Sequence, residues 1–597
     1  MQTSQTDRLR SETLENLVFA AKNQRWSYGR RIISSVPVFA ILMFIFASVS
    51  GLTDIVWKLK PYEQSISTMS DRTDVEFENP GGQVLPKRGT YEVAQIRDTI
   101  ALERPGTGEI QNAAILVRFP KNAEENAKLP AVVFMHGAGY GTADNSFGDV
   151  SEDLASAGFV ALTVDKPVWS TNDLTRDYPA SAHAYEQCIQ YLRNRADVDP
   201  DRAGIYATSE SAWISPAVAR EDGRLAFQIL LSPMTYNPRQ SLAFMMSQDM
   251  SIIGAHTGYR QIFPRILSIS ASKIGLDNFD FDPHPELAAY VPTFVAWGAK
   301  DVMTSQVGGT YKIVNTAKEC GNSDITIRNY PIGNHVLRLG DEAEEGTPFV
   351  DKYENDMVSW AVGTVRNLKQ TTPAIAGSKI VQSISVPTEA AGHDIFTYSM
   401  FAVHLFAFVM IAVAVLVSLL VFAKYVYYFF KPGLRVRDVL GLTYKLRMSI
   451  VALFAATVVC AVALGTGFGT CAYEIVKLVW GAAPSKPGYI VWSWNIVQIL
   501  CVSLVWVWSR VLVSFVETGV RRGKIPFPNI PVLDYMDTVA AAKRLARNPK
   551  LEKKRAARAF EPVFASTRLG RVYFAVFSLA MFSVLLLMAF WGIYVFW

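Results

Sequence analysis

Residues 197–219 read DVDPDRAGIYATSESAWISPAVA, and the rest of the chain is best read outward from them. The run Ala203–Ala207 is strand-like, the segment 211–220 has helical spacing, and only Thr208, Ser209 and Glu210 separate the two. A strand that passes into a helix through so sharp a turn projects one side chain above the sheet, here Ser209. That arrangement is a nucleophile elbow, normally G-x-S-x-G. Ala207 and Ser211 stand at the two glycine positions, and both are small. A serine capping the helix is the purely structural alternative.

The neighbours of this segment favour the elbow. Apolar, β-rich runs occur at 112–118, 130–135, 159–164, 226–231 and 292–297, and 325–330 is strand-like. Helical patterns at about 147–157, 178–194 and 305–319 separate several of them. This alternation predicts an α/β domain with a mostly parallel sheet and helices on both faces. Reactive groups in such sheets sit at the carboxyl ends of strands. After 130–135 comes His136-Gly137-Ala138-Gly139-Tyr140-Gly141, a loop able to offer a backbone donor to an oxyanion. After 292–297 comes Gly298-Ala299-Lys300-Asp301, and after 325–330 comes Pro331-Ile332-Gly333-Asn334-His335. Ser209, Asp301 and His335 therefore follow one another in the order nucleophile, acid, base, each at a strand's end.

Over residues 112–345 the sequence resembles bacterial α/β-hydrolases of the dienelactone hydrolase and prolyl-oligopeptidase-like esterase group. The opening stretch resembles that group's D-P-x-R-I-G-L-x-G-H-S-x-G-G-x-x-A-P-x-A-A. VPTFVAWGAKDVMTSQ (291–306) resembles V-P-x-L-x-x-x-G-x-x-D-x-x-V, and NYPIGNHVL (329–337) resembles F-P-x-x-x-H. The resemblance implies an α/β-hydrolase fold with Ser209 as nucleophile, His335 as its base and Asp301 orienting the imidazole. It implies an oxyanion hole from the backbone N–H groups of Glu210 and Ala138, with His136 structural. No metal or cofactor is implied. Ala207, Thr208 and Ser211 depart from the group's pattern without removing a group the chemistry needs.

The resemblance covers under half of the 597 residues. Half of the residues are apolar, only 19% are charged, and there are five cysteines with no CxxC pair, which excludes a disordered chain, a disulfide scaffold and common zinc modules. Five apolar stretches, at about 32–52, 401–423, 449–470, 489–509 and 572–597, are long enough to cross a bilayer. The first reads as an uncleaved anchor, with Ser48 and Ser50 leaving cleavage as the alternative.

Charge gives the orientation. Segments 1–31, 424–447 and 510–571 hold 26 of the 58 basic residues and nine acids, whereas 54–400 holds 30 bases and 43 acids. Basic flanks stay in the cytoplasm. The expected layout is a cytoplasmic segment 1–31, an anchor 32–52, an extracytoplasmic hydrolase domain 54–370, a linker 371–400 and a four-helix membrane region 401–597 with cytoplasmic loops 424–447 and 510–571. The basic run around Lys553, Lys554, Arg555 and Arg558 suits anionic lipid headgroups. No groove-reading motif accompanies it, so no nucleic-acid partner is expected.

Residues 233–290, rich in Met and aromatics, interrupt the strand pattern where a cap belongs, and their His256, His284, Asp277, Asp280 and Asp282 fit no metal-ligand spacing. Cys188 and Cys320 are expected to remain separate thiols. Gly465 and Gly469 suggest a helix-packing face, and Asn495 with Gln498 interhelical hydrogen bonds. The expected function is a hydrolase of the bacterial plasma membrane acting on carboxylic esters, with acylated envelope lipids a natural substrate for a tethered enzyme. A peptidase or acyltransferase using the same triad, or a non-catalytic receptor or assembly protein with a degenerate domain, are the alternatives.

Overall fold

The computed structural model describes residues 26–595, apart from 58, 60–64, 125–126, 172–174, 341–345, 432, 434–438, 443, 487, 522–524, 527 and 549–564. The basic run 553–558 and Trp597 lie outside the described residues.

Nine strands form the central sheet: β1 (Val93–Arg104), β2 (Glu109–Pro120), β3 (Leu129–Met135), β4 (Val160–Val164), β5 (Val198–Thr208), β6 (Gln228–Leu231), β7 (Thr293–Gly298), β8 (Ile325–Tyr330) and β9 (Ile375–Gly377). Their spatial order is β9-β8-β7-β6-β5-β3-β4-β2-β1. All pairs are parallel except β1 with β2 and β2 with β4. Successive side chains of a strand face opposite layers. Ala131, Val133 and Met135 of β3 accordingly join one core with α3 (Tyr178–Arg193), α4 (Ser215–Asp222) and α8 (Gln306–Glu319). Val132 and Phe134 join the opposite core with α2 (Gly148–Ser156) and α9 (Tyr353–Thr364). Both faces are covered, which is why the inner strands read as unbroken apolar runs.

The cap lies between β6 and β7 as α5 (Pro238–Ile252), α6 (Thr257–Arg260) and α7 (Ile262–Ile266), followed by 3-10 turns. Asn237 starts α5 by accepting from the Gln240 N–H, with Pro238 in the first turn, where its missing N–H costs nothing.

Among the described residues, five helices are long and apolar enough to cross a membrane. They are α1 (Tyr28–Leu52), α10 (Asp394–Phe430), α11 (Tyr444–Val479), α12 (Tyr489–Arg521) and α14 (Arg568–Phe590), with α13 (Pro531–Arg547) joining the last two. All but α12, which begins at Tyr489 as read, start before the apolar stretch read from sequence, because polar first turns escape a hydropathy window. The last ends earlier, at Phe590: Gly592 takes a left-handed φ of +83°, and the chain turns back so that the Ile593 and Val595 carbonyls accept from Gln498 Nε2.

Three other expectations differ from the structure. Residues 371–400 contain β9 and the first turns of α10, not a linker alone; Gly377, with φ +100°, lets this edge strand approach Asn329. Gly465 and Gly469 face open space, and it is Gly467 that packs, beneath the Tyr259 ring of the cap. Asn495 is exposed, whereas Gln498 makes the expected buried hydrogen bonds, to the carbonyls beyond α14, and Ser493 of the same helix adds a contact, its Oγ 2.9 Å from Tyr259 Oη.

The cap rests on one end of the bundle. Met250, Ile253, Ala255, Tyr259 and Ile262 share a core with Phe46 of α1, Cys471 of α11, Trp494 of α12 and Met588 of α14. The buried Arg265 guanidinium donates to the Ser50 carbonyl and to Asp54 just beyond α1. The His393 N–H, before α10, donates to the Ser268 carbonyl. At the opposite end, Arg30 pairs with Asp534 and Asp537, and Arg31 with Glu517, fixing the start of α1 against α13 and the end of α12.

Candidate active site

Three strand ends converge at the site. β5 ends at Thr208, and Ser209 takes a φ of +54°, a left-handed conformation that a serine adopts only at a cost of about 1–3 kcal/mol. A 3-10 turn, Ser209–Trp213, then leads into α4. The turn survives without flanking glycines for a visible reason. Ala207 is fully buried in β5, and the Ser211 hydroxyl tucks beneath the turn, within 3.0 Å of the Met135 carbonyl and 2.9 Å of the Thr208 carbonyl. Gly137 is needed on the facing loop, since a Cβ there would press on the Thr208 carbonyl at 3.3 Å. Strand order, parallel crossovers and the strained serine at the carboxyl end of β5 decide the class. This is an α/β-hydrolase fold.

His335 Nε2 lies 2.8 Å from Ser209 Oγ, and His335 Nδ1 lies 3.1 Å from Asp301 Oδ1. All three side chains are buried. The structure thus brings together the three residues singled out in sequence. Asp301 is held by the Met303 N–H at 2.8 Å, the Thr304 N–H at 3.3 Å and the Thr304 hydroxyl. Burial alone would raise its pKa; the facing His335 and these donors outweigh burial, and the carboxyl ends below the ordinary carboxylate value. It stays ionised, as an acid that must steady an imidazolium requires.

Ala138 and Glu210 line one pocket of about 200 Å³ beside Ser209, together with cap residues. His136 is not part of the reacting group. Its ring is buried with Nε2 2.5 Å from the Val164 carbonyl, and burial foremost lowers its pKa to about 4.

Four residues that sequence reading passed over complete the surroundings. Lys166 is wholly buried, and its ammonium donates to the carbonyls of Gly137 (2.7 Å) and Gly139 (2.9 Å) and to Glu210 Oε2 (3.3 Å). In a trans peptide the C=O and N–H point in opposite directions. Holding the Gly137 carbonyl therefore turns the Ala138 N–H away from the ammonium. Tyr178 Oη donates to Glu210 Oε1 at 3.1 Å, and Arg176 pairs with the same carboxylate. Lys166 follows β4 by two residues, so the strand-end rule that found Asp301 would have found it too. The fourth is Asp249 of α5, fully buried with neither carboxylate oxygen hydrogen-bonded. Burial, and then the nearby charge of Asp301, push it up to about 8. An isolated acid inside a helix carries no sequence signal.

Away from this site, His183, Glu186 and Glu221 bring three ligand atoms within 4.8 Å of one another at the surface, where His183 Nδ1 already lies 3.2 Å from Glu221. The cap acids and histidines named above form no such group among the described residues. Cys188 is buried, Cys320 is exposed, and the two are not bonded.

No protein-family model matches the chain, and no curated protein sequence matches it. Some solved structures share part of the architecture. A protein of Bacteroides ovatus ATCC 8483 described as a dipeptidyl aminopeptidase IV is 13% identical with a TM-score of 0.32, over 49% of this chain and 37% of that one. The chain thus spans well under half of that protein's length. A protein of Klebsiella pneumoniae described as a dienelactone hydrolase is 15% identical, TM-score 0.30, over 45% of this chain and 95% of its own. The carboxylesterase EstE1, cloned from a metagenomic library, is 18% identical, TM-score 0.31, over 46% and 88%. The likeness is partial in each case, and the fold assignment stands on the strand order and the elbow.

Proposed function

We propose that the chain is a membrane-anchored serine hydrolase that cleaves carboxylic esters, with its α/β domain on the extracytoplasmic side of a bacterial plasma membrane. The relay from Ser209 through His335 to Asp301, at 2.8 and 3.1 Å, carries this reading. His335 Nε2 takes the Ser209 proton as Oγ attacks the ester carbonyl carbon. The oxyanion that forms is received by the backbone N–H groups of Glu210 and Ala138. The C–O bond breaks, His335 returns its proton to the departing alcohol, and water attacks the acyl-serine by the same route. A contact this short counts against a degenerate, non-catalytic domain.

The basic balance of 424–447 and 510–571, against the acidic balance of 54–400, supports the orientation. The end of α1 and the starts of α10 and α12 all meet the cap, as a layout with these ends on the side of the α/β domain requires.

A fluorophosphonate probe on the full chain tests the reading. Wild type is expected to be labelled and Ser209→Ala not. Equal labelling of both would remove Ser209 as nucleophile. Ser209→Ala should also lose on the order of 10⁶-fold in kcat toward p-nitrophenyl esters.

A further inference from the structure

Taking the ester-hydrolase reading as its basis, the cap specifies which esters. The pocket beside the proposed oxyanion hole is lined by Ala138, Glu210 and Trp213 and, from the cap, by Leu242, Met245 and Phe279. α5 supplies Pro238, Ser241, Leu242 and Met245 to this lining. Their spacing of three, four and seven residues is one face of a helix. Met246 and Met250 of the same helix, and Ile253 just past its end, pack in the core shared with the membrane-length helices. A single helix therefore separates the pocket from the bundle.

The depth of the pocket follows from a second cluster. Leu242 and Phe279, two of its walls, pack with Ile55 and Trp57. Those residues come directly after α1, which ends at Leu52. A tryptophan just beyond a membrane span lies at headgroup level. The pocket wall is thus level with the place where acylated amphiphiles carry their ester bonds. A cavity of about 200 Å³ is smaller than the ~300–1,000 Å³ usual for ligand sites, and its Met-rich lining is adaptable. One unbranched alkyl chain suits it better than a ring or a peptidyl group.

We propose that the substrate is an acylated membrane amphiphile whose acyl chain lies along the 238/241/242/245 face of α5. The bond from Ser209 Oγ to the acyl carbon forms first, giving the oxyanion, and the ester C–O bond breaks as that intermediate collapses. The alcohol portion leaves with the His335 proton, and water releases the fatty acid.

The test uses the purified full chain in vesicles of dialkyl-ether phosphatidylglycerol, which carry no ester of their own, with p-nitrophenyl esters from acetate to palmitate dissolved in them. Wild type is expected to prefer decanoate to acetate. Leu242→Trp and Met245→Trp should each lower the decanoate-to-acetate ratio of kcat/KM by roughly tenfold, and Leu242→Ala should raise the preferred chain length. The opposite directions keep the test decisive should a tryptophan variant fail to fold. Preference for acetate by wild type, or one ratio across all variants, with Ser209 still labelled by fluorophosphonate, overturns the substrate assignment and spares the hydrolase. Absence of labelling at Ser209 overturns both.

Discussion

The strand-end site and the cap-to-bundle contact are built on different physics. At the site, polar groups converge and are nearly all satisfied: Asp301 has three donors besides His335, and Lys166 has three acceptors. The cap meets the bundle mainly through apolar side chains, with a few polar contacts such as Arg265 with Asp54 and Tyr259 with Ser493. A fixed charge array serves transition-state stabilisation, which rewards dipoles that need not reorganise. On the proposed reading, an apolar contact between cap and bundle serves delivery, because it fixes where the pocket stands relative to the helices proposed to span the membrane. If the two regions have these separate roles, substitutions in the first should move kcat and those in the second should move stability and chain preference.

Asp301→Asn is expected to give the largest effect. It keeps the shape of the loop and removes the charge that favours the productive imidazole tautomer, so kcat should fall about 10⁴-fold. Steady-state rates on p-nitrophenyl butyrate check this; a loss below tenfold would mean that His335 is oriented by something else. Arg265→Met probes the other region. It leaves Asp54 without its guanidinium partner, the Ser50 carbonyl keeping only the Thr53 hydroxyl, and the midpoint of thermal unfolding in detergent should drop by the equivalent of about 3 kcal/mol. An unchanged midpoint would show that apolar packing alone seats the cap.

The same contrast explains what the sequence disclosed. Strands, helices and the three candidate residues of the site were legible because local patterns govern them: unbroken apolar runs, strand ends and the elbow spacing. β1 was not, because VAQIRDTIALER is a largely exposed strand near the sheet edge whose charges hide its alternation. Nor was α9, whose partners in the second core are distant in sequence. At the bundle, small-residue spacing pointed to Gly465 and Gly469, whereas Gly467 makes the contact. Which face of an apolar helix is buried depends on its neighbours, and an all-round apolar helix does not advertise one. Lys166 lies between these cases: its position was readable, its three acceptors were not.

Lys166→Met sharpens the account of the site. Without the ammonium, the Gly137 and Gly139 carbonyls lose their shared anchor and the Ala138 N–H loses its fixed aim. A loosened donor should cost about 10²-fold in kcat with KM little moved. Lys166→Arg should not fully restore the rate, since a planar fork does not reproduce three converging ammonium bonds. A change confined to KM would make Lys166 a substrate contact and not a positioning residue.

Asp249 gives the finest test, because it lies on the cap helix yet feels the charge of Asp301. In the unfolded chain its carboxyl ionises near the ordinary 3.8; in the folded protein the value is about 8. Between those values the folded state holds a proton that the unfolded state has released. Stability from this group is therefore lost as pH rises, by about 1.4 kcal/mol per pH unit at most, and the loss is complete above the folded value. Asp249→Asn cannot ionise and removes that slope. The unfolding midpoint of the variant should then fall less than that of wild type between pH 5 and pH 8, on the order of the pKa shift cited. Parallel midpoint curves would mean that the carboxylate reaches water or a cation in solution, and that the boundary between cap and site is wetter than its burial implies.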